Sequence, residues 1–232
     1  MKTWQVILGA TALSTLAALA IVRGPQWFGP ATGTGQGQAD KPSGTPLPWQ
    51  VTVQPDGSSE ALGLKLGTGT LADVRQRFGP DTQIAIIAAP GEDGALEAFV
   101  DPAQAGFIAG KLVVTAELPA SASATLRSLR ERALKSEFME STTRKYTLTP
   151  ADQHAASAFA VSAIAFIPQA KLDAQMVIDR FGPPQERRKV GEMSEHFLYP
   201  AKGLDLTLNT KGKDVLQYVA PADFHKLTAP LK

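Results

Sequence analysis

Three histidines, His154, His196 and His225, are the residues of this chain whose chemistry best suits proton transfer or metal binding. None has a second histidine or a carboxylate at ligand spacing, such as i+4 on a helix. His196 follows Glu195 on a strand-like run, and strand neighbours point to opposite faces, so these two form no dyad. Each histidine is expected to be structural. Ser141, Thr142 and Thr143 precede Arg144 and Lys145, but a nucleophile there would lack a nearby base and an oxyanion motif such as G-x-S-x-G. Gly67-Thr68-Gly69 stands before a helical pattern and could offer amides to an anion. With no Lys-Ser/Thr following, it reads as a helix start. Glu92-Asp93 in a Gly-bounded turn is a weak cation site that reads as solvated charge. Arg187-Arg188-Lys189, flanked by Glu186 and Glu192, is either a guard on an edge strand or a local contact for an anion. No residue is assigned a catalytic, cofactor-binding or metal-binding role, and no cofactor is expected.

The elements that would carry these residues are organised by a repeated phrase. Val74-Arg75-Gln76-Arg77-Phe78-Gly79-Pro80 returns about a hundred residues later as Val177-Ile178-Asp179-Arg180-Phe181-Gly182-Pro183. Each phrase closes an amphipathic helical pattern, since Gly takes a left-handed cap and Pro cannot continue the helix. Thr70 and Asp173 are the expected N-caps, with Asp73 completing an approximate capping box. Leu71, Val74 and Phe78 share one helical face in the first copy, and Met176, Val177 and Phe181 form the expected buried face of the second. Phe78 and Phe181 are expected to pin the helix ends to a sheet.

Strand-like runs cover 49–53 and the alternating Leu62, Leu64 and Leu66 before the first helix, then 83–88, 96–100 and 107–116 after it. In the second copy they cover 163–167, then 186–190, 196–199, 204–208 and 215–219. The pairs Gly110-Lys111 and Gly212-Lys213 fall in similar register and are read as matching hairpins. Between the copies, residues 121–138 show a 3.6-residue period through Leu126, Leu129, Ala133, Leu134 and Phe138, which predicts one helix. Its other face, with Arg127, Arg130, Arg132 and Lys135, could bind an acidic partner, but Glu131 and Glu137 interleave with these bases and favour a solvated surface.

Residues 6–22 carry no charge across seventeen positions, enough for roughly 25 Å of helix at about 1.5 Å per residue, the lower end of a bilayer span. Arg23, Gly24 and Pro25 end the run, and Trp27-Phe28 suits a membrane interface. Ala18-Leu19-Ala20 also fits a cleavage site, so a signal removed after Ala20 competes with a retained anchor. The length and the aromatic pair favour the anchor. Lys2 and the amino terminus bias the start towards the cytoplasm, which would leave the folded part in a periplasm. Residues 29–48, rich in Gly, Pro, Thr and Gln, read as a disordered linker. The near balance of 23 basic and 22 acidic residues gives no electrostatic footprint for nucleic acid, and the absence of cysteine excludes disulfides, thiolate zinc sites and a cysteine nucleophile.

A Gly-x-Thr-type helix start, a helix ending in Phe-Gly-Pro and a following antiparallel meander resemble the SmpA/OmlA domain, and more broadly the β-lactamase-inhibitor-protein-like fold. The residues that carry the likeness are Gly67, Thr68, Thr70, Leu71, Val74, Phe78, Gly79 and Pro80. In the second copy they are Leu172, Asp173, Val177, Phe181, Gly182 and Pro183, with Tyr199 and the 215–219 strand. The likeness covers roughly 60–118 and 160–222. The lipoprotein members carry a lipid-modified cysteine that this chain lacks, so its anchor would be the helix, in the inner membrane. No residue of the inhibitors' contact surface can be matched here. The resemblance implies the fold and a habit of binding proteins at the cell envelope.

The expected organisation is an α+β protein: a signal anchor over 1–28, a linker over 29–48, a first repeat over 49–120, a connecting helix and loop over 121–160 and a second repeat over 161–232. The expected function is a membrane-tethered periplasmic module that binds an envelope protein or peptide, in a groove between the repeats, without catalysis. An envelope hydrolase assembled from dispersed carboxylates and a small-ligand-binding module are the alternatives. The oligomeric state is left open.

Overall fold

The computed structural model describes residues 46–139 and 142–231. The apolar run 6–22, most of the linker and Ser141 lie outside the described residues. Among the described residues no helix is long and apolar enough to cross a membrane.

The fold is α+β and its sheets are antiparallel. Short strands β1 (Thr52–Val53), β2 (Ser59–Ala61) and β3 (Leu64–Leu66) form a three-stranded sheet. Helix α1 (Leu71–Phe78) leads into the meander β4 (Gln83–Ala88), β5 (Ala95–Ala105) and β6 (Ile108–Ala116). A 3-10 turn (Ala120–Ala122) runs into α2 (Ser123–Glu131), followed by β7 (Lys135–Phe138), β8 (Arg144–Thr147) and α3 (Pro150–Ala156). Strand β9 (Val161–Pro168) and helix α4 (Ala174–Phe181) precede β10 (Glu186–Val190), β11 (Ser194–Tyr199), β12 (Leu204–Asn209) and β13 (Val215–Val219). Helix α5 (His225–Thr228) closes the order. Among the described residues the large sheet has ten strands in the order β10-β11-β12-β13-β9-β6-β5-β4-β8-β7, so β9 is flanked by the last strand of each meander.

Local sequence explains the two helices. Thr70 accepts from the Asp73 amide at 3.4 Å while its own amide donates to Asp73 Oδ2 at 2.7 Å, a complete capping box. Asp173 accepts from the Met176 amide at 2.8 Å. Gly79 (φ +104°) and Gly182 (φ +84°) end them in a backbone region that L residues rarely occupy. Leu71, Val74, Val177 and Phe181 pack into the main core between the helices and one face of the large sheet. The opposite face carries a second apolar cluster, with Phe99, Val113, Ile167 and Val215, and a third, where Phe224 and Leu227 cover Leu198 and Val219.

Several sequence expectations fail for identifiable reasons. The stretch 121–138 is not one helix: α2 ends at Glu131 and 135–138 become strand β7. The Leu134 amide donates to Thr147 O at 2.9 Å and the Met139 amide to Thr143 O at 2.9 Å, so pairing with β8 captures this segment. Leu126 and Leu129 are buried as expected, but Leu134 and Phe138 are 67% and 65% exposed. Leu62, Leu64 and Leu66 are all buried, yet they span a tight turn: Leu62 has φ +55° and joins β2 to β3. Met176 is 44% exposed, not part of the buried face of α4. Gly110-Lys111 is no hairpin and does not match Gly212-Lys213. Gly110 lies inside β6, paired to Pro168, and a Cβ there would come 2.5 Å from Ile167 O and 2.7 Å from the Phe166 ring. Close approach of β9 is what this glycine serves; the hairpin turns at Gly106-Phe107.

Candidate functional site

The chemistry-bearing residues are dispersed. His154 is exposed on α3, and His225, exposed at the start of α5, has Nδ1 3.2 Å from Ala222 O. Strand pairing gives His196 the carboxylate that sequence spacing did not show. Its Nδ1 lies 2.8 Å from Asp205 Oδ2, and Thr207 Oγ1 is 3.1 Å from the same nitrogen. His196 is 8% and Asp205 1% exposed. Burial pushes the Asp205 carboxyl above its ordinary value, against the bond from His196 and the charges of His196 and Arg188. A nucleophilic relay needs its orienting acid and its nucleophile on different imidazole nitrogens. Here both oxygens crowd Nδ1, so the trio is a buried polar tie between β11 and β12. The signal that could have revealed it is register: His196 pairs with Thr207, and Asp205 with Leu198, across the same two strands.

The other candidates are consumed by the fold. At the glycine turn before α1, the Gly67 amide donates to Val161 O, Gly69 to Lys65 O, Leu71 to Phe159 O and Ala72 to Ser157 O. These amides are not available to an anion. The basic face of α2 is used internally: Arg130 donates to the Glu92 and Asp93 carbonyls, and Arg127 pairs with Asp93 at 3.2 Å. Arg132 donates to both Asp152 oxygens and holds that carboxyl below its ordinary value. Arg187-Arg188-Lys189 lies on the outermost strand β10, with Arg187 on Glu195 and Arg188 on Glu186 and the Leu231 carbonyl. Among the described residues no three His, Asp or Glu side chains gather as a metal site.

Among the described residues, an apolar cavity of about 170 Å³ lies where α4 meets the ends of β6, β9 and β13, smaller than a polar cleft of about 640 Å³ bordered by Lys171, Glu192 and Asp214. Phe166, Leu172, Val177, Phe181 and Leu216 line the interior of the apolar cavity, and Trp49 and Phe107 stand at its mouth. Trp49 meets Phe107 and Phe181 edge-on, both at 6.1 Å between ring centroids. Arg180 places its guanidinium 5.2 Å from the Trp49 ring centre, a cation–π contact that sets a positive charge at the rim. The strap before Trp49 is tied down because the fully buried Tyr218 hydroxyl donates to Pro48 O at 2.8 Å. At the far end of α4, Tyr199 donates to Gly182 O at 3.0 Å and Lys202 to Phe181 O at 2.6 Å. Phe107 is 77% exposed beside this opening, and Met176 adds a second exposed apolar side chain. Phe181 thus pins its helix end and also forms a wall of the cavity. No protein-family model, curated protein or solved structure matches the chain.

Proposed function

We propose that this chain is a membrane-tethered periplasmic protein-binding module of the cell envelope, without catalytic activity, which captures an apolar side chain of its partner in the Trp49 cavity. The observation that carries the proposal is a pocket with an apolar interior flanked by two large exposed apolar residues, Phe107 and Met176. A cavity of about 150 Å³ lined by Leu, Ile and Phe is enough to hold benzene, so the 170 Å³ here suits one aromatic or branched aliphatic side chain. Arg180 at the rim selects a segment with an acidic residue beside that side chain. In this reading α1 with β4–β6 and α4 with β10–β13 are tandem SmpA/OmlA-like repeats, and the cavity lies where α4 of the second meets the β5–β6 hairpin of the first. Residues 6–22 are the inner-membrane anchor and residues 29–48 the spacer, with cleavage after Ala20 the alternative.

The test places a photo-crosslinking benzoylphenylalanine at Met176 in the full chain, expressed in a Gram-negative envelope, with the exposed position Glu192 as control. One defined protein adduct is expected from position 176 only, lost when Leu172→Trp fills the cavity. Equal adducts from both positions, or an adduct indifferent to Leu172→Trp, refute the proposal. Saturable binding of small aromatic compounds that Leu172→Trp abolishes, without a protein adduct, would favour the small-ligand module instead.

A further inference from the structure

The two outer strands of the large sheet differ in how they treat a second copy of themselves. Every sheet edge exposes unpaired N–H and C=O groups, and proteins block unwanted pairing there with charge. Strand β10 reads Glu186-Arg187-Arg188-Lys189-Val190, and antiparallel self-pairing about Arg188 would set Arg187 against Lys189, like charge against like. Strand β7, at the opposite edge, has the reverse property. About Ser136 the segment Leu134-Lys135-Ser136-Glu137-Phe138 is self-complementary. An antiparallel copy would face Lys135 with Glu137, Leu134 with Phe138, and Ser136 with itself.

The backbone agrees with that register. The Met139 amide bonds to Thr143 O, and in an antiparallel ladder the inward-bonding residues alternate. Met139, Glu137 and Lys135 therefore face β8, and the Leu134 amide also bonds inward, to Thr147 O, while Ser136 and Phe138 turn their N–H and C=O groups outward, so the Ser136 pair is the backbone contact left open. Among the described residues no strand pairs with that edge. The side chains stay exposed enough to meet a partner, although Arg144 places its guanidinium 4.0 Å from the Phe138 ring centre and donates to Ser136 Oγ at 3.4 Å. Leu134 and Phe138 are two of the largest exposed apolar residues, and the Lys135–Glu137 ion pair at 2.6 Å is largely solvated.

We propose that β7 is a homodimer edge, pairing two copies of this chain antiparallel about Ser136. The contact joins the two ten-stranded sheets through reciprocal Ser136 backbone hydrogen bonds, two Leu134–Phe138 pairs and two Lys135–Glu137 pairs. It is independent of the Trp49 cavity.

The chain contains no cysteine, so a single one reports cleanly. Hydrogen-bonded antiparallel partners sit about 5.5 Å apart at Cα, inside the roughly 4.4–6.8 Å range of a disulfide. With the full chain in detergent and copper phenanthroline as oxidant, Ser136→Cys should form a disulfide dimer at least ~10-fold faster than Phe138→Cys, whose copies would lie about 14 Å apart. The same excess is expected over Lys189→Cys on β10. In the Ser136→Cys background, Lys135→Glu alone and Glu137→Lys alone should each slow cross-linking, because like charges then face each other. An equimolar mixture of the two should restore it as a heterodimer, which also shows that both variants fold. Equal rates at positions 136, 138 and 189, or a mixture no faster than its components, would overturn the proposal.

Discussion

Glu97 is the most demanding test of the packing. It lies on β5 and is 1% exposed, Ala85 and Thr115 are its strand partners, and its Oε2 has no hydrogen-bond partner. Burial pushes its carboxyl from the ordinary 4.5 up to about 8. The folded state therefore binds a proton that the unfolded chain releases above pH 4.5. The stabilisation is complete below that pH, declines as pH rises and levels off above about 8. At about 1.36 kcal/mol per pH unit, the loss between those limits is on the order of 4 to 5 kcal/mol. Glu97→Gln keeps the shape and removes the titration. Urea unfolding of the full chain in detergent, followed by circular dichroism from pH 5 to 9, gives the difference in stability between wild type and variant. That difference should shift against the wild type by several kcal/mol between pH 5 and pH 8, and then hold steady. A difference constant to within about 0.5 kcal/mol would mean that Glu97 is solvated and that the burial argument is wrong.

Two further substitutions probe the frame. Asp214, 2% exposed, accepts from the Leu172 amide at 2.8 Å, the Asn209 amide at 2.9 Å and Lys171 Nζ at 3.0 Å, joining the approach to α4 to the β12–β13 turn. Asp214→Ala should cost roughly 2–4 kcal/mol in urea unfolding, because it strands two backbone donors and removes the ion pair with Lys171, whose ammonium keeps Asn209 O and solvent. Tyr218→Phe keeps the ring but leaves Pro48 O without its donor. A loss of about 1–2 kcal/mol is expected, with faster proteolysis ahead of Trp49 and a weaker adduct from position 176; unchanged proteolysis would show that the strap needs no such tie.

Local signals made much of the frame legible. The Phe-Gly-Pro stops, with Thr70 and Asp173 as caps, placed both helices, because capping is satisfied within a few residues of the chain. The strand-like runs at β4, β10 and β13 fall where the sequence put them, β4 and β13 because short apolar runs bounded by turn residues suit strands buried in a sheet. Periodicity misled at 121–138. A helical pattern and a hairpin competed there: β7 pairs with β8, the next strand in the chain, and β8 is in turn held by β4, a distant strand that no local pattern reveals.

What the amino-acid sequence determined alone is the α+β class, the two capped helices and the lack of a contiguous catalytic motif. Each depends on neighbours in the chain. What only the tertiary structure decided are contacts between distant segments. Asp205 meets His196 because β11 and β12 pair in one register. The cavity exists because Tyr218 holds Pro48, so that Trp49 closes over α4 beside Phe107. An edge is a property of the assembled sheet: Leu134-Lys135-Ser136-Glu137-Phe138 becomes a self-complementary surface only once β7 is the last strand.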